Sequence, residues 1–204
     1  TKVMVFHGGY HGGVLYFVSG GSPVNVPYEY VVAPYNDVEG TRALLAKHGE
    51  ELFAVLLEPM QGSHGCLPGD VGFLKMVREE TKARGITMIF DEVMTSRLSP
   101  GGLQEKHGVI PDMTTLGKYI GGGMSFGAFG GRRDIMELFD PTKADSLPHA
   151  GTFNNNALTM AAGVAGYGEV YTPAAAAELN ARGEKIRQRL NAICANDKVA
   201  FQFS

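Results

Sequence analysis

Three short apolar runs in this chain end abruptly on residues that carry charge. Leu52 to Leu57 stops at Glu58-Pro59, Thr87 to Phe90 stops at Asp91-Glu92, and Met113 to Leu116 stops at Gly117-Lys118. Runs this short, bounded by glycine, proline or acid, read as buried strands. Proline cannot donate to a ladder, so the first strand ends at Pro59 and leaves Glu58 at its tip. Helical patterning lies between the runs. Pro68-Gly69-Asp70 introduces a helix to about Arg84, with Phe73, Leu74 and Val77 on one face and Gly85 as its stop. Its Arg78, Glu79, Glu80, Lys82 and Arg84 read as a solvated face. That helix returns the chain to the strand before Asp91, a βαβ unit. Val3 to Phe6 and Tyr30 to Ala33 add two further strands, and Asp37 is placed to cap the helix carrying Leu44 and Leu45. The pattern predicts an α/β fold of three layers, α/β/α, on a mostly parallel sheet. In such sheets ligands bind beyond the carboxyl ends of the strands, where the charged residues gather.

Composition narrows the function classes. A chain of 204 residues can bury one substantial core, and 44% hydrophobic with 19% charged residues argues against disorder. A formal net charge of -3 gives no basic field for nucleic acid. No uncharged apolar run is long enough to span a membrane, so the cytoplasm is the expected compartment. Cys66 and Cys194 make neither a disulfide scaffold nor a zinc site.

Lys118 is predicted to leave the sheet at the same edge as Asp91. A lysine and an aspartate at neighbouring strand ends meet the needs of pyridoxal 5'-phosphate: an amine for the Schiff base and a carboxylate for the ring nitrogen. The bond at the substrate's α-carbon weakens only if the ring accepts electrons. A protonated pyridine nitrogen accepts them best, and a nearby anion favours that form. The freed lysine amine then carries a proton between carbons. Taken singly, the two also read as a surface lysine and a helix-capping aspartate. Upstream, His7-Gly8-Gly9-Tyr10-His11-Gly12-Gly13 forms a loop at a strand's carboxyl end, where glycines let backbone approach a flat ligand. His7 and His11 have a metal-ligand spacing, but it converges only on a helix, so no metal is expected.

Glu58-Pro59-Met60-Gln61-Gly62, Phe90-Asp91-Glu92-Val93 and Thr115-Leu116-Gly117-Lys118 resemble the class III aminotransferases, fold-type I pyridoxal phosphate enzymes that include the glutamate-1-semialdehyde aminomutases. Thr95-Ser96-Arg97-Leu98, the run from Gly123 to Gly131, and Gly151-Thr152-Phe153-Asn154-Asn155-Asn156 are more similar to aminotransferases of β-amino acids such as β-phenylalanine. The resemblance implies amino transfer from an amine or β-amino acid to a keto acid through a Lys118 Schiff base. Asp91 then partners the ring nitrogen, Tyr10 and Val93 cover the ring's two faces, and His11 stands behind them. Glu58 becomes a neighbour of the ring and its aspartate, although a solvent-exposed strand end reads equally well from the residues. Thr152 is expected to reach the cofactor phosphate of a neighbouring subunit, which implies a homodimer with shared sites, or else to cap the following helix. Arg97 departs from the usual Thr-Gly-Phe-Arg and is a candidate for a substrate carboxylate.

Chains of that family are roughly twice as long, so this one is expected to be a fragment. On that view 1–172 form the cofactor-binding large domain, incomplete at its start, and 173–204 a helix leading into an absent small domain. Two alternatives stay open: an aminomutase or racemase of the glutamate-1-semialdehyde aminomutase type, and a truncated non-catalytic homologue. A Rossmann oxidoreductase is disfavoured, because no Gly-x-Gly-x-x-Gly follows the first strand.

Overall fold

A computed structural model describes residues 1–203. In chain order its elements are β1 (Lys2–Phe6), β2 (Glu29–Ala33), α1 (Val38–His48), β3 (Leu52–Leu57), β4 (Met60–Gln61), β5 (Leu67–Pro68) and α2 (Val71–Arg84). There follow β6 (Thr87–Asp91), α3 (Gly102–His107), β7 (Met113–Gly117), β8 (Gly127–Gly131), α4 (Arg133–Met136), α5 (Ala157–Ala165) and α6 (Pro173–Asn196). Six strands make one sheet in the order β2-β1-β3-β6-β7-β8, with every neighbouring pair parallel except β7 and β8. The architecture is a mostly parallel sheet with helices on both sides, as the strand endings predict.

Strand alternation decides what each face buries. Met4, Phe6, Val55, Leu57, Met88 and Phe90 point to the face covered by α1 and α2, where they meet Leu45, Phe73, Leu74 and Val77. Full burial of such side chains contributes ~1.5–3 kcal/mol each, which makes this the main core. Val3, Val5, Ala54 and Leu56 point the other way and pack on Leu15 and Phe17 of the chain between β1 and β2. The helices start and stop where their sequences direct. Asp37 accepts the Gly40 amide at 2.9 Å to cap α1, and Gly85 adopts a left-handed φ of 68° to end α2.

Arg78 does not belong to a solvated face. It reaches the buried Asp112 at 2.6 Å, and Asp112 also accepts from Arg132 at 3.1 Å and from the Met88 amide at 2.8 Å. One carboxylate thereby ties α2, the start of β6 and the residue that follows β8. Pro68-Gly69-Asp70 leads into α2 as expected, with Pro68 also ending a short antiparallel pair of β4 and β5.

The topology also fixes where a site can lie. From β1 the chain steps to β2 on one side and then to β3 on the other. Connections that diverge from adjacent parallel strands leave a crevice beyond their carboxyl ends. The loop after β1 and the tip of β3 line that crevice.

Candidate active site

The loop after β1 is a tight excursion. The amides of Gly8 and Phe17 bond the carbonyls of Phe17 and Gly9 at 3.1 and 2.8 Å, and the His11 amide bonds the Leu15 carbonyl at 2.9 Å. Tyr10 and His11 sit at its outer end. Glu58 holds the excursion from the neighbouring strand, accepting the Tyr10 amide through Oε1 at 3.0 Å and the Gly62 amide through Oε2 at 2.9 Å. The strand-end glutamate is buried, not solvent-exposed. Beneath it, Gln61 donates to the His7 carbonyl at 2.7 Å.

The imidazole of His11 turns inward and meets the next strand end, with Nδ1 2.8 Å from Asp91 Oδ2. Both side chains are almost fully buried. The other carboxylate oxygen of Asp91 accepts the Val93 amide at 3.1 Å. Burial alone pushes the Asp91 carboxyl up. The bond from His11, the His11 charge, the Val93 amide and the Thr115 hydroxyl more than offset that and hold it below its ordinary value. Glu58 goes the opposite way. Burial pushes its carboxyl up, and the amides of Tyr10 and Gly62 with the His11 charge do not cancel that rise. Two neighbouring carboxylates, both within reach of the His11 charge, are thus shifted in opposite directions, Asp91 down and Glu58 up. Pairs pushed apart in this way are a mark of acid-base sites.

Asp91 lies beside Thr115 in the ladder between β6 and β7, so Lys118 leaves the sheet three residues beyond that register. Lys118 is exposed and opens a 3-10 turn, Lys118–Gly121, with a φ of 54°. A left-handed conformation at a non-glycine residue costs ~1–2 kcal/mol. Val93 packs on the strand end from which the lysine leaves: a Cβ built on Gly117 lies 3.4 Å from Val93 Cγ1. Tyr10 keeps 40% of its surface open, edge-on to Tyr16.

The remaining predicted residues are farther apart. Arg97 is exposed on a 3-10 turn, Ser96–Leu98, which Asn180 of α6 secures by donating to the Leu98 carbonyl at 3.0 Å. Thr152 is exposed, and the cap of α5 is Asn156, whose side chain accepts the Leu158 and Thr159 amides at 3.1 and 3.2 Å. The helix-cap reading of Thr152 is therefore wrong. Near it, a cavity of about 510 Å³ opens between Phe129, Phe139, His149, Phe153 and Asn154. Sequence reasoning missed Gln61 and Thr115 as parts of the site. It also missed the fully buried Glu92, which caps α3 by accepting the Leu103 and Gln104 amides at 2.8 and 2.9 Å. Gln61 and Glu92 stood inside motifs already singled out, but the His7 partner of Gln61 lies 54 residues away, beyond what spacing reveals.

The chain belongs to the class-III aminotransferase family, whose model matches residues 1–202. Over 203 residues it is 58% identical to the beta-phenylalanine transaminase of Variovorax paradoxus, covering 100% of this chain and 46% of that protein. The crystal structure of a beta-phenylalanine aminotransferase from Variovorax paradoxus superposes with a TM-score of 0.95 over 98% of this chain and 46% of that one. A glutamate-1-semialdehyde aminomutase from Pseudomonas aeruginosa PAO1, solved in complex with PMP, is 28% identical, with a TM-score of 0.81 over 96% of this chain and 48% of that one. The chain spans about half the length of the curated relatives it matches.

Proposed function

We propose that the protein containing this chain is a pyridoxal phosphate-dependent transaminase that moves an amino group from a β-amino acid to a keto acid. The observation that carries this reading is an ionised, buried Asp91 held by His11 one strand away from an exposed, conformationally strained Lys118. The residues fit the cofactor: an accessible amine, an anion for the ring nitrogen, and Tyr10 and Val93 as an open aromatic face and an apolar one. When bound, pyridoxal phosphate supplies an aldehyde for an amine and a cationic ring that draws electrons from the carbon bearing nitrogen.

Asp91 keeps its negative charge at neutral pH and so favours a proton on the ring nitrogen. His11 keeps one Asp91 oxygen oriented, and the Val93 amide keeps the other. The Lys118 Nζ would hold the aldehyde of the cofactor and, as a free amine, would take the proton from the substrate carbon that bears nitrogen. Tyr10 would offer the ring an aromatic face, and Val93 an apolar one that would keep water away. Glu58 holds the Tyr10 backbone in place. Thr152 and the donors around it serve the phosphate of a neighbouring subunit in a homodimer, and Arg97 is the substrate-carboxylate candidate of this chain. The β-amino acid preference is supported by 58% identity to a beta-phenylalanine transaminase, against 28% to the aminomutase. Among the described residues no helix is long and apolar enough to cross a membrane.

The test is borohydride reduction of the cofactor-loaded protein followed by peptide mapping, then assay of β-phenylalanine with and without a keto acid. The label is expected on Lys118, and turnover is expected to depend on the keto acid. A label on Lys75, Lys82 or Lys106 sinks the lysine assignment, and conversion without a keto acid turns the reading to an aminomutase.

A further inference from the structure

The strained backbone at Lys118 is held from both sides. On the near side, a Cβ on Gly117 lies 3.2 Å from the Phe126 carbonyl oxygen as well as against Val93. On the far side, the Tyr119 ring lies 4.7 Å from Tyr171 and 6.3 Å from Tyr167. Strand alternation directs this second contact away from Asp91. Thr114 registers with Phe90 on the face opposite Asp91, and Tyr119 lines a cavity of about 340 Å³ there with Thr114, Leu116 and Gln104. The lysine is exposed between two anchored neighbours.

What anchors the turn is α5. Gly122 has a φ of 60°, and the space where its Cβ belongs is filled by the carbonyl of Ala162. A Cβ on Gly163 lies 2.6 Å from the Ile120 carbonyl oxygen, and one on Gly166 lies 3.1 Å from the Gly122 Cα. Helix and turn therefore meet backbone to backbone, with no side chain between them. The helix then runs into a π-helical turn, Gly166–Val170, an irregularity that recurs at functional sites. That turn carries Tyr167 and delivers Tyr171 to Tyr119. Gly168, in the same turn, has open space where a Cβ belongs.

The geometry points to α5 and its π-helical turn as a clamp that aims the Lys118 amine. Gly163 and Tyr119 are its positioning residues, acting through the backbone without touching the ligand. The inference rests on the reading of Lys118 as the cofactor-bearing lysine. With the clamp intact, close packing supports the cost of the left-handed backbone. A methyl group at position 163 pushes the Ile120 carbonyl away, frees the turn to relax toward right-handed φ, and swings the side chain off its target.

The experiment uses the full-length protein with pyridoxal phosphate as the probe, comparing wild type, Gly163→Ala, Gly166→Ala, Tyr119→Ala and Gly168→Ala. Four readouts are taken: stopped-flow rate of cofactor capture, pH midpoint of the bound-cofactor absorbance, the borohydride-labelled peptide, and the thermal midpoint. Gly163→Ala and Tyr119→Ala are expected to slow capture at Lys118 by up to roughly 100-fold, the scale of a 1 Å misplacement, and to move the pH midpoint. Gly166→Ala, with its milder contact, should fall between them and wild type if Gly163→Ala does not fold. Gly168→Ala should match wild type throughout. Wild-type capture rates and pH midpoints in the clamp variants, with the label still on Lys118, overturn the clamp alone. A wild-type label on another lysine overturns the cofactor reading and the clamp with it.

Discussion

Replacing Glu58 by glutamine separates two effects that the structure sets against each other. The carboxylate has two acceptor oxygens, and each takes one backbone amide, Tyr10 at 3.0 Å and Gly62 at 2.9 Å. Glutamine offers one acceptor and turns an NH₂ group toward the second amide. One buried donor then loses its partner, at ~1–3 kcal/mol. The opposing effect is relief from burying a charge, since burial pushes the Glu58 carboxyl above its ordinary value in spite of both amides. Global stability at neutral pH should thus change less than the local loss. At that loss, one amide opens roughly 5- to 150-fold more often, which hydrogen exchange on peptides covering Tyr10 and Gly62 can read. The pH dependence has a definite sign. A carboxyl raised in the folded state contributes stability that is present below the ordinary value of 4.5 and lost as pH rises through the raised one. The wild-type melting temperature should carry that decline, and Glu58→Gln should lack it. Wild-type protection of both amides in the variant would refute the reasoning, because Glu58 would then not be what holds the Tyr10 loop.

Asp91→Asn should retain cofactor but lose a charge-assisted bond worth ~1.5–3 kcal/mol, slowing the first half-reaction with a β-amino acid roughly 10- to 150-fold. Unchanged single-turnover rates would assign the ring nitrogen to another residue. Asp112→Ala leaves Arg78 without its buried partner and should destabilise by ~3–5 kcal/mol in urea titrations, whereas Arg132→Ala, with a largely exposed side chain, should cost clearly less. Equal effects would show that the network does not centre on Asp112. Gly85→Ala meets no neighbouring atom but inherits a φ of 68°, so it should cost ~1–2 kcal/mol from backbone strain alone. A neutral result would mean that α2 can end another way.

The abrupt strand endings made most of this fold legible. A strand that stops at acid or Gly-Lys announces both its length and the side of the sheet where chemistry gathers, and Glu58, Asp91 and Lys118 stand at such ends in the structure. Local signals also sufficed for the caps at Asp37 and Gly85. What sequence could not give was pairing at long range. Arg78 looked solvated because its partner, Asp112, lies 34 residues downstream. His11 was placed behind the ring by resemblance, but its bond to Asp91 spans 80 residues. Thr152 looked like a helix cap because a hydroxyl just before an apolar run often is one. The helix starts where its apolar run begins, and Asn156, directly before it, is the acceptor at its first turn.

The one antiparallel pairing within the six-stranded sheet, β7 with β8, divides the site mechanically. His11, Glu58 and Asp91 stand at or beyond strand ends from which the chain leaves the sheet and returns to it as a parallel strand, not by a hairpin. Lys118 stands in a hairpin connection whose two ends are both stitched into one ladder, Gly117 opposite Gly127. A short connection closed at both ends has little freedom left to lose. The backbone that carries the amine is therefore tethered to the sheet on both sides.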